Sequence, residues 1–185
     1  MPKAATPRLT REDWLLQALE VLAAQGPAKL NIQSLCQALG VSRGSFYWHF
    51  ADRAAFIHAL LEEWHLRYSA AVPEIIEAGG GTGRDKFARL LRAVVENDLT
   101  RFDLPIRSWA MQEPEIAKLV ERTDHFRLDY VTQLFEEMGF EGEELAMRAR
   151  TALSTLTMLK TLRDERGFVD SPERAELLCR VLCGD

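Results

Sequence analysis

Hydrophobic residues recur at helical intervals along most of this chain. Ile32, Leu35, Cys36 and Leu39 fall at positions i, i+3, i+4 and i+7, which places them on one face of an α-helix. Gly40 then predicts the end of that helix, because glycine readily adopts the left-handed conformation that closes many helices. No stretch alternates apolar and polar residues over a useful length, as a half-buried strand would. The pattern therefore predicts an all-α protein.

Polar residues suited to capping stand just before several of these apolar patterns. Thr10 and Asp13 resemble a capping box, and Asn31, Ser42 and Asp52 each precede a predicted helix. Together with the glycine and proline breaks, these signals predict about nine helices. We expect an N-terminal three-helix unit followed by a C-terminal helical bundle.

The second and third predicted helices are short and meet at Gly40. The third covers only about residues 43–49, with Phe46 and Phe50 facing inward and Val41 expected as a buried plug in the turn. Two short helices joined around a glycine form a helix-turn-helix.

Three segments follow from this arrangement. Residues 1–9, with two prolines and two basic side chains, are expected to form a flexible arm. Residues 10–53 form the predicted helix-turn-helix domain. Residues 54–185 form the predicted helical body. A helix of about 25 residues is expected to begin after Asp52, with Pro73 kinking or shortening it.

Charge is unevenly distributed along the chain. The net charge is −5, which by itself disfavours a nucleic-acid partner, yet the first 53 residues hold six basic and four acidic side chains. The remaining residues therefore carry a net charge of −7. A slightly basic head on an acidic body confines any polyanion site to one end of the chain.

Composition narrows the class of protein. With 47% hydrophobic and 28% charged residues, the chain is expected to be globular. It has no apolar run of about 18 residues, as a membrane span needs, and no signal-peptide pattern at its start, so we expect a cytoplasmic protein. Cys36, Cys179 and Cys183 lack metal-ligand spacing beside histidines and are expected to be small buried hydrophobic residues.

The third predicted helix is too polar and aromatic to be explained by core packing alone. Arg43 and Ser45 can reach base edges in a major groove about 12 Å wide, where arginine suits guanine O6 and N7. Gly44 has no side chain, so the backbone can approach DNA closely there. This helix is therefore the predicted recognition helix.

Residues around that helix are suited to the DNA backbone. Tyr47, Trp48 and His49 provide donors and flat surfaces at the phosphate wall, although an aromatic corner packed between helices is the alternative for them. Arg53 lies in the first turn of the next helix, where its charge and nearby amides can hold a phosphate. The predicted DNA-binding residues are Gln33, Ser42, Arg43, Gly44, Ser45, Tyr47, Trp48, His49 and Arg53.

The stretch GVSRGSFYWHF at 40–50, with Ile32, Leu35 and Arg53 around it, resembles the DNA-binding domain of the TetR family of bacterial repressors. The resemblance covers the chain from Thr10 to Trp64. It implies an all-α homodimer that binds palindromic double-stranded DNA, with two C-terminal helices forming a four-helix dimer interface. It also implies a cavity in the body for a small effector, whose binding releases the DNA.

By position, the resemblance assigns phosphate contacts to Tyr47 and Arg53, and it places Arg43, Ser45 and His49 on the groove-facing helix. The chain departs from the family at Arg43 and Ser45, where lysine and threonine are frequent. These departures leave the docking mode unchanged but alter the expected operator, because arginine can bind guanine bidentately where lysine offers a point charge.

Two helices of the body are candidates for the dimer interface. The helix predicted over 143–165 has Ala149, Ala152 and Thr155 among its leucines, and these side chains are small enough for close helix approach. The last predicted helix carries an apolar stripe without an evident further partner, made of Leu177, Leu178, Val181 and Leu182. Packing within one chain is the alternative for both.

The middle of the body mixes aromatic and polar residues that could line an effector site. A core or surface position without any ligand is the alternative for each of them. The predicted effector-binding residues are Trp109, Met111, His125, Phe126 and Tyr130, with Arg127 among them in sequence.

Catalysis, a metal and a cofactor have no support in the sequence. It holds no glycine-rich phosphate loop after a strand and no cysteine–histidine metal pattern. We therefore expect a sequence-specific DNA-binding transcriptional regulator, in the first instance a repressor, that also binds a small effector. The alternatives are a helical ligand-binding module without DNA binding and a small all-α enzyme.

Overall fold

A computed structural model of the protein describes residues 9–158 and 172–184. They form ten α-helices, a 3₁₀ turn at Pro27–Lys29 and a π-helical segment at Leu66–Ala70, with no strand among them. The predicted all-α class is confirmed. The helices are α1 Arg11–Gln25, α2 Ile32–Leu39, α3 Arg43–His49, α4 Arg53–His65, α5 Val72–Glu77, α6 Gly83–Glu96, α7 Asp103–Ala110, α8 Pro114–Glu137, α9 Gly142–Met158 and α10 Pro172–Cys183.

The chain divides into two compact units, Met1–Glu63 and Trp64–Asp185. Their boundary lies inside α4 rather than at the 53/54 boundary expected from the sequence. Two predictions fall partly outside the described residues: the arm over 1–9, apart from its last residue, and the part of the 143–165 helix that follows Met158. Within the described ranges, no helix has both the length and the apolar character needed to cross a membrane.

An aromatic cluster forms the core of the first unit. Phe46 is fully buried, and its ring centroid lies 5.5, 5.2 and 5.3 Å from those of Trp14, Phe50 and Phe56. A helix as short as α3 is not stable by itself, so this packing holds it in place, and the predicted anchoring by Phe46 and Phe50 is confirmed. Val41 is only half-buried, so its predicted role as a buried plug is wrong.

Side-chain caps fix the starts of most early helices. Thr10 closes the predicted capping box with Asp13. Asn31 and Asp52 each accept a hydrogen bond from the amide three residues along, at 2.9 and 2.7 Å, which confirms both caps. Ser42 occupies the N-cap position of α3, but its side chain makes no capping hydrogen bond. The predicted cap at Ser42 is therefore wrong, and aromatic packing holds α3 instead.

The long helix predicted after Asp52 is broken into three parts. Helix α4 ends at His65, the π-helical segment follows, and α5 begins at Val72 with Pro73 in its first turn. Proline is tolerated in a first turn because the amide that it lacks has no partner there. The prediction of a single helix of about 25 residues is therefore wrong. The prediction that Pro73 kinks or shortens that helix agrees with the structure.

Helices α6, α8, α9 and α10 of the second unit share one apolar core. Phe87 and Phe135 lie at its centre, with ring centroids 5.1 Å apart. Ala149 and Ala152 are fully buried in the same core, so these two small residues pack within one chain, which was the alternative to dimer packing. Leu178 and Leu182 of α10 are buried there too, whereas Leu177 and Val181 are exposed.

Candidate functional site

Helix α3 of the first unit turns its polar and aromatic side chains outward. Because Phe46 and Phe50 occupy the inward face, Tyr47 and Trp48 are 56% and 72% exposed. His49 is half-buried. A large aromatic side chain this exposed is typical of a contact surface for another molecule. A corner buried between helices, the alternative for the aromatic residues, does not describe Tyr47 or Trp48.

Two predicted DNA-binding residues from different helices meet beside this surface. Arg43 is the first residue of α3, and Gln33 lies in the first turn of α2. Arg43 Nη2 donates a hydrogen bond to Gln33 Oε1 at 3.4 Å, and both side chains are exposed. A bond of this length is weak, so Gln33 orients the guanidinium without preventing it from binding another acceptor.

The start of α3 leaves its backbone uncovered. Ser42 and Gly44 are exposed, and Ser45 is half-buried. A Cβ atom added at Gly44 would contact only the Ser42 hydroxyl oxygen, at an ordinary distance of 3.6 Å. The folded protein therefore does not need glycine at this position. Close approach of a ligand, the reason suggested by the sequence, is consistent with this geometry.

The start of α4 carries an exposed cation next to an occupied amide. Arg53 is the first residue of α4 and is exposed. The Asp52 carboxylate accepts the Ala55 amide at 2.7 Å, so that amide is not available to a phosphate. A phosphate at this helix end would therefore depend on the Arg53 guanidinium more than on the backbone.

The second unit contains a mainly apolar cavity. It encloses about 470 Å³ of space not filled by protein atoms, a figure that includes space open to solvent. Thr100 also lines it, and its buried hydroxyl pairs with no group of the described protein. The apolar wall comes from the π-helical segment and four helices, and it includes Val72, Leu90, Val94, Phe126, Tyr130 and Leu156.

The five predicted effector residues fall in three different places. Phe126 and Tyr130 line the cavity, as does their neighbour Arg127. Trp109 is buried in the core and is not part of the cavity wall. Met111 is 89% exposed, and it shares an open groove between α7 and α8 with His125. The structure therefore places two of the five, Phe126 and Tyr130, in the cavity wall.

A buried ion pair beside the cavity was missed by the sequence analysis. The Asp103 carboxylate is fully buried and accepts hydrogen bonds from both Nη atoms of Arg127, at 2.5 and 3.2 Å, and from the Trp64 indole at 3.1 Å. Arg127 Nε donates to Ser69 Oγ at 2.8 Å, and Nη2 donates to the Tyr68 carbonyl at 3.3 Å. The network therefore ties the end of α4 and the π-helical segment to α7 and α8.

This network also sets the electrostatics of the cavity. Arg127 is the cation in its wall, and Asp103 neutralises it through two hydrogen bonds. The cavity therefore has no uncompensated charge from this arginine. No sequence signal marks Asp103 as a partner, because it becomes one only where α7 packs on α8.

Tyr130 is fixed on its outer side by a chain of charged groups. Its hydroxyl donates to Glu77 Oε1 at 3.0 Å, and Lys86 joins Glu77 to Glu137 with ion-pair distances of 2.7 and 2.9 Å. Burial and the nearby Glu77 carboxylate raise the pKa of Tyr130 above its ordinary value. The phenol therefore stays protonated and keeps its ring against the cavity.

Sequence comparison finds that the helix-turn-helix is similar to a known family. Residues 15–60 match the family described as bacterial regulatory proteins, tetR family. The chain is 30% identical over 77 residues to the transcriptional repressor NemR of Escherichia coli K12, a match covering 42% of this chain and 39% of NemR. It is 32% identical over 71 residues to the transcriptional regulator AcrR of Shigella flexneri, covering 35% of this chain and 33% of AcrR. The chain thus matches less than half the length of these relatives.

Solved structures extend the likeness to the fold as a whole. The reduced form of E. coli NemR gives a TM-score of 0.75 at 18% identity, over 93% of this chain and 95% of that one. FadR of Bacillus subtilis, solved in complex with stearoyl-CoA, gives 0.74 at 16% identity, over 95% and 98%. At such identities the likeness shows the fold alone. The helix-turn-helix of this chain is therefore similar to that of the tetR family, and the chain has the fold seen in NemR and FadR.

Proposed function

We propose that this protein is a sequence-specific DNA-binding transcriptional regulator, a repressor that a small molecule releases from its operator. The observation that carries the proposal is the surface of α3. Arg43, Tyr47 and Trp48 are exposed on a helix that Phe46 and Phe50 hold in the core. The family match over residues 15–60 supports the same function. As a regulator acting on bacterial DNA, the protein would work in the cytoplasm.

Base recognition is assigned to the start of α3. Arg43 can bind O6 and N7 of a guanine with two hydrogen bonds, and Gln33 orients its guanidinium from α2. Ser45 can contact a neighbouring base edge. Gly44 allows the close approach that these short side chains need.

Backbone recognition is assigned to the end of α3 and the start of α4. Tyr47, Trp48 and His49 stand where they can pack along the phosphate wall, and Arg53 contributes a cation. Ser42 adds an exposed hydroxyl at the helix start. Such contacts fix the position of the protein on the duplex but carry no sequence information.

A homodimer is proposed through α9 and α10. Met147 of α9 is exposed, and so are Leu177 and Val181, which lie one turn apart on α10. These side chains turn away from the core that Leu178 and Leu182 enter. In a symmetric dimer the two recognition helices would read half-sites about 34–36 Å apart on a palindromic operator.

The effector is proposed to bind in the cavity of the second unit. Phe126 and Tyr130 provide aromatic surface, the Thr100 hydroxyl provides a hydrogen-bond donor, and Asp103 already neutralises Arg127. The site therefore suits a mainly apolar, uncharged molecule with a hydrogen-bond acceptor. FadR, a protein of the same fold, was solved with stearoyl-CoA, and a bound acyl compound is one chemistry to include in a ligand screen.

Selection of duplexes from a random pool, followed by gel-shift titration, tests the DNA function. We expect wild-type protein to prefer one palindromic sequence over scrambled duplexes at several salt concentrations. Arg43→Ala should lose about 1–3 kcal/mol of discrimination at one base pair per half-site. Arg92→Ala is the matched control, because it removes an exposed arginine from α6 of the other unit. Equal wild-type affinity for every duplex would exclude sequence-specific binding and favour the ligand-binding module.

A thermal-shift screen that also measures operator release tests the effector function. A molecule that binds the folded cavity should raise the melting temperature and lower operator affinity. Phe126→Ala removes an aromatic wall and should reduce both effects together. A ligand that raises the melting temperature equally in the variant would place the effector outside this cavity.

A further inference from the structure

Two cysteines in the last turns of α10 form a pair of thiols. Cys179 and Cys183 lie four residues apart, with their sulfur atoms 3.8 Å from each other. They are 3% and 5% exposed, as the prediction of small buried residues requires. Their spacing of one helical turn places both thiols on the same face of α10. Cys36 on α2 is a third free cysteine, 7% exposed, and offers a buried single thiol for comparison.

Two arginines bring positive charge to the same end of α10. Arg84 Nη2 donates to the Gly184 carbonyl at 2.5 Å, and Arg148 Nη1 donates to the Leu182 carbonyl at 2.9 Å. The hydrogen bond with Cys183 and, to a smaller extent, Arg84 lower the pKa of Cys179 to about 7. The lowered pKa favours a thiolate at Cys179 that accepts a hydrogen bond from Cys183. Thiolates are the reactive form of cysteine.

The separation of the sulfurs decides which chemistry suits the pair. A disulfide would have to shorten 3.8 Å to about 2.05 Å and bring the Cβ atoms to about 3.8 Å. Side chains one turn apart on a helix have Cβ atoms about 5–6 Å apart, so α10 would have to unwind. An atom that forms bonds of about 2.3 Å to sulfur, as zinc does, reaches both sulfurs at an angle near tetrahedral. The geometry therefore favours a bridging atom over a direct bond.

The site offers two sulfur ligands, and this number limits which bridging atom it suits. Zinc in structural sites takes four protein ligands, and the described part of the chain contains no group of three or more histidine, cysteine or acidic residues placed to hold a metal. A trivalent organic arsenical, R–As(OH)₂, needs only two sulfurs.

We propose that Cys179 and Cys183 form a dithiol site that captures a trivalent arsenical as one bridged adduct. Two As–O bonds break and two As–S bonds form. Each thiol proton leaves with a hydroxide as water, and arsenic stays trivalent. This inference does not rest on the proposed DNA function.

Access to the site follows from its place in the helix. Cys183 is the last residue of α10. Arg148 holds the Leu182 carbonyl in the final turn, and Arg84 holds the Gly184 carbonyl just after it. Helix ends open locally at low free energy. Opening of this turn exposes both sulfurs together, and bridging them closes it again.

The test uses the full reduced chain and phenylarsine oxide, with intact-mass detection in excess 2-mercaptoethanol. We expect one adduct per wild-type chain, which dithiothreitol removes. Once arsenic has bonded to one thiol, the other thiol is held close to it at a high effective concentration. Removing either thiol by Cys179→Ser or Cys183→Ser should therefore weaken binding at least about 100-fold. Cys36→Ser is the matched control and should bind as wild type does.

Alkylation mapping of the wild-type adduct covers the case in which a serine variant fails to fold. After denaturation, iodoacetamide should modify Cys36 while Cys179 and Cys183 stay protected. No wild-type adduct, an adduct retained by either serine variant, or protection of Cys36 would each overturn the proposal.

Discussion

The interiors of the two units of this chain are built in opposite ways. The first fills its core with three aromatic rings around Phe46, and its charged groups stay at the surface. The second leaves a cavity unfilled and buries an ion pair beside it. A close-packed interior holds side chains in fixed positions, and a helix of only seven residues such as α3 depends on such packing. An unfilled cavity costs packing energy, so the second unit needs other contacts to hold its helices.

We expect the largest loss of stability from a substitution at Asp103, the buried carboxylate of the second unit. Asp103→Ala leaves the Arg127 guanidinium buried without its counter-charge and should destabilise the second unit by about 3–5 kcal/mol. Replacing both residues, as Asp103→Leu with Arg127→Met, should recover most of that loss, because no charge is then left unpaired. Urea unfolding of the three proteins measures this. A double variant no more stable than Asp103→Ala would show that the pair is not the main support.

Phe46→Ala should cost the first unit a similar amount, about 3–5 kcal/mol, because it empties the centre of the aromatic cluster. We expect no single second substitution to restore this loss of stability, because the Phe46 ring contacts four other rings at once. DNA binding should fail with α3 unanchored. Phe46→Leu is the control and should lose less stability, because it keeps more of the buried volume. If Phe46→Ala bound DNA normally, the anchoring role of this residue would be rejected.

Tyr47→Phe should have a smaller effect, confined to DNA. It keeps the ring, which packs edge-on against Phe46 with centroids 5.4 Å apart, and removes only the hydroxyl proposed to contact a phosphate. Affinity for every duplex should fall equally, by about 1.5–3 kcal/mol per protomer for a bond to a charged group. Gel-shift titration on matched and scrambled duplexes measures this. A loss limited to the matched duplex would instead assign Tyr47 to base recognition.

Gly44→Ala should give the smallest change in stability, and the change should be an increase. Alanine is favoured over glycine in a helix by about 1 kcal/mol, and the new Cβ makes only an ordinary contact with Ser42. The variant should unfold at the same or a higher temperature and yet bind DNA more weakly, because the methyl group separates the backbone from the groove. Unchanged DNA affinity would show that the backbone does not approach closely at Gly44.

Much of the first unit was predictable because its signals are local. The capping box at Thr10, the cap at Asn31 and the glycine turn at Gly40 each depend on residues within one or two turns, and each is present in the structure. The anchoring by Phe46 and Phe50 follows from their helical spacing. Where the structure differs, as at Ser42, packing holds the helix without the local hydrogen bond that the sequence suggested.

The second unit depends on contacts that no local pattern encodes. Arg127 bonds to Ser69, 58 positions earlier, and to Asp103, 24 positions earlier. The cavity likewise draws its wall from helices far apart in the sequence, which is why only two of the five predicted effector residues line it. The spacing of Cys179 and Cys183 could be seen in the sequence. The 3.8 Å distance between their sulfur atoms and the contact of Arg84 with Gly184, 100 positions away, could not be predicted from it.

The sequence by itself determined the all-α class, the helix-turn-helix and the outward set of side chains on α3, because helical periodicity and capping act over a few residues. Only the tertiary structure decided where the cavity lies, which charges are buried together and how the long helix after Asp52 is broken. Those features arise where separate helices pack, and packing depends on the shapes of all the surfaces that meet.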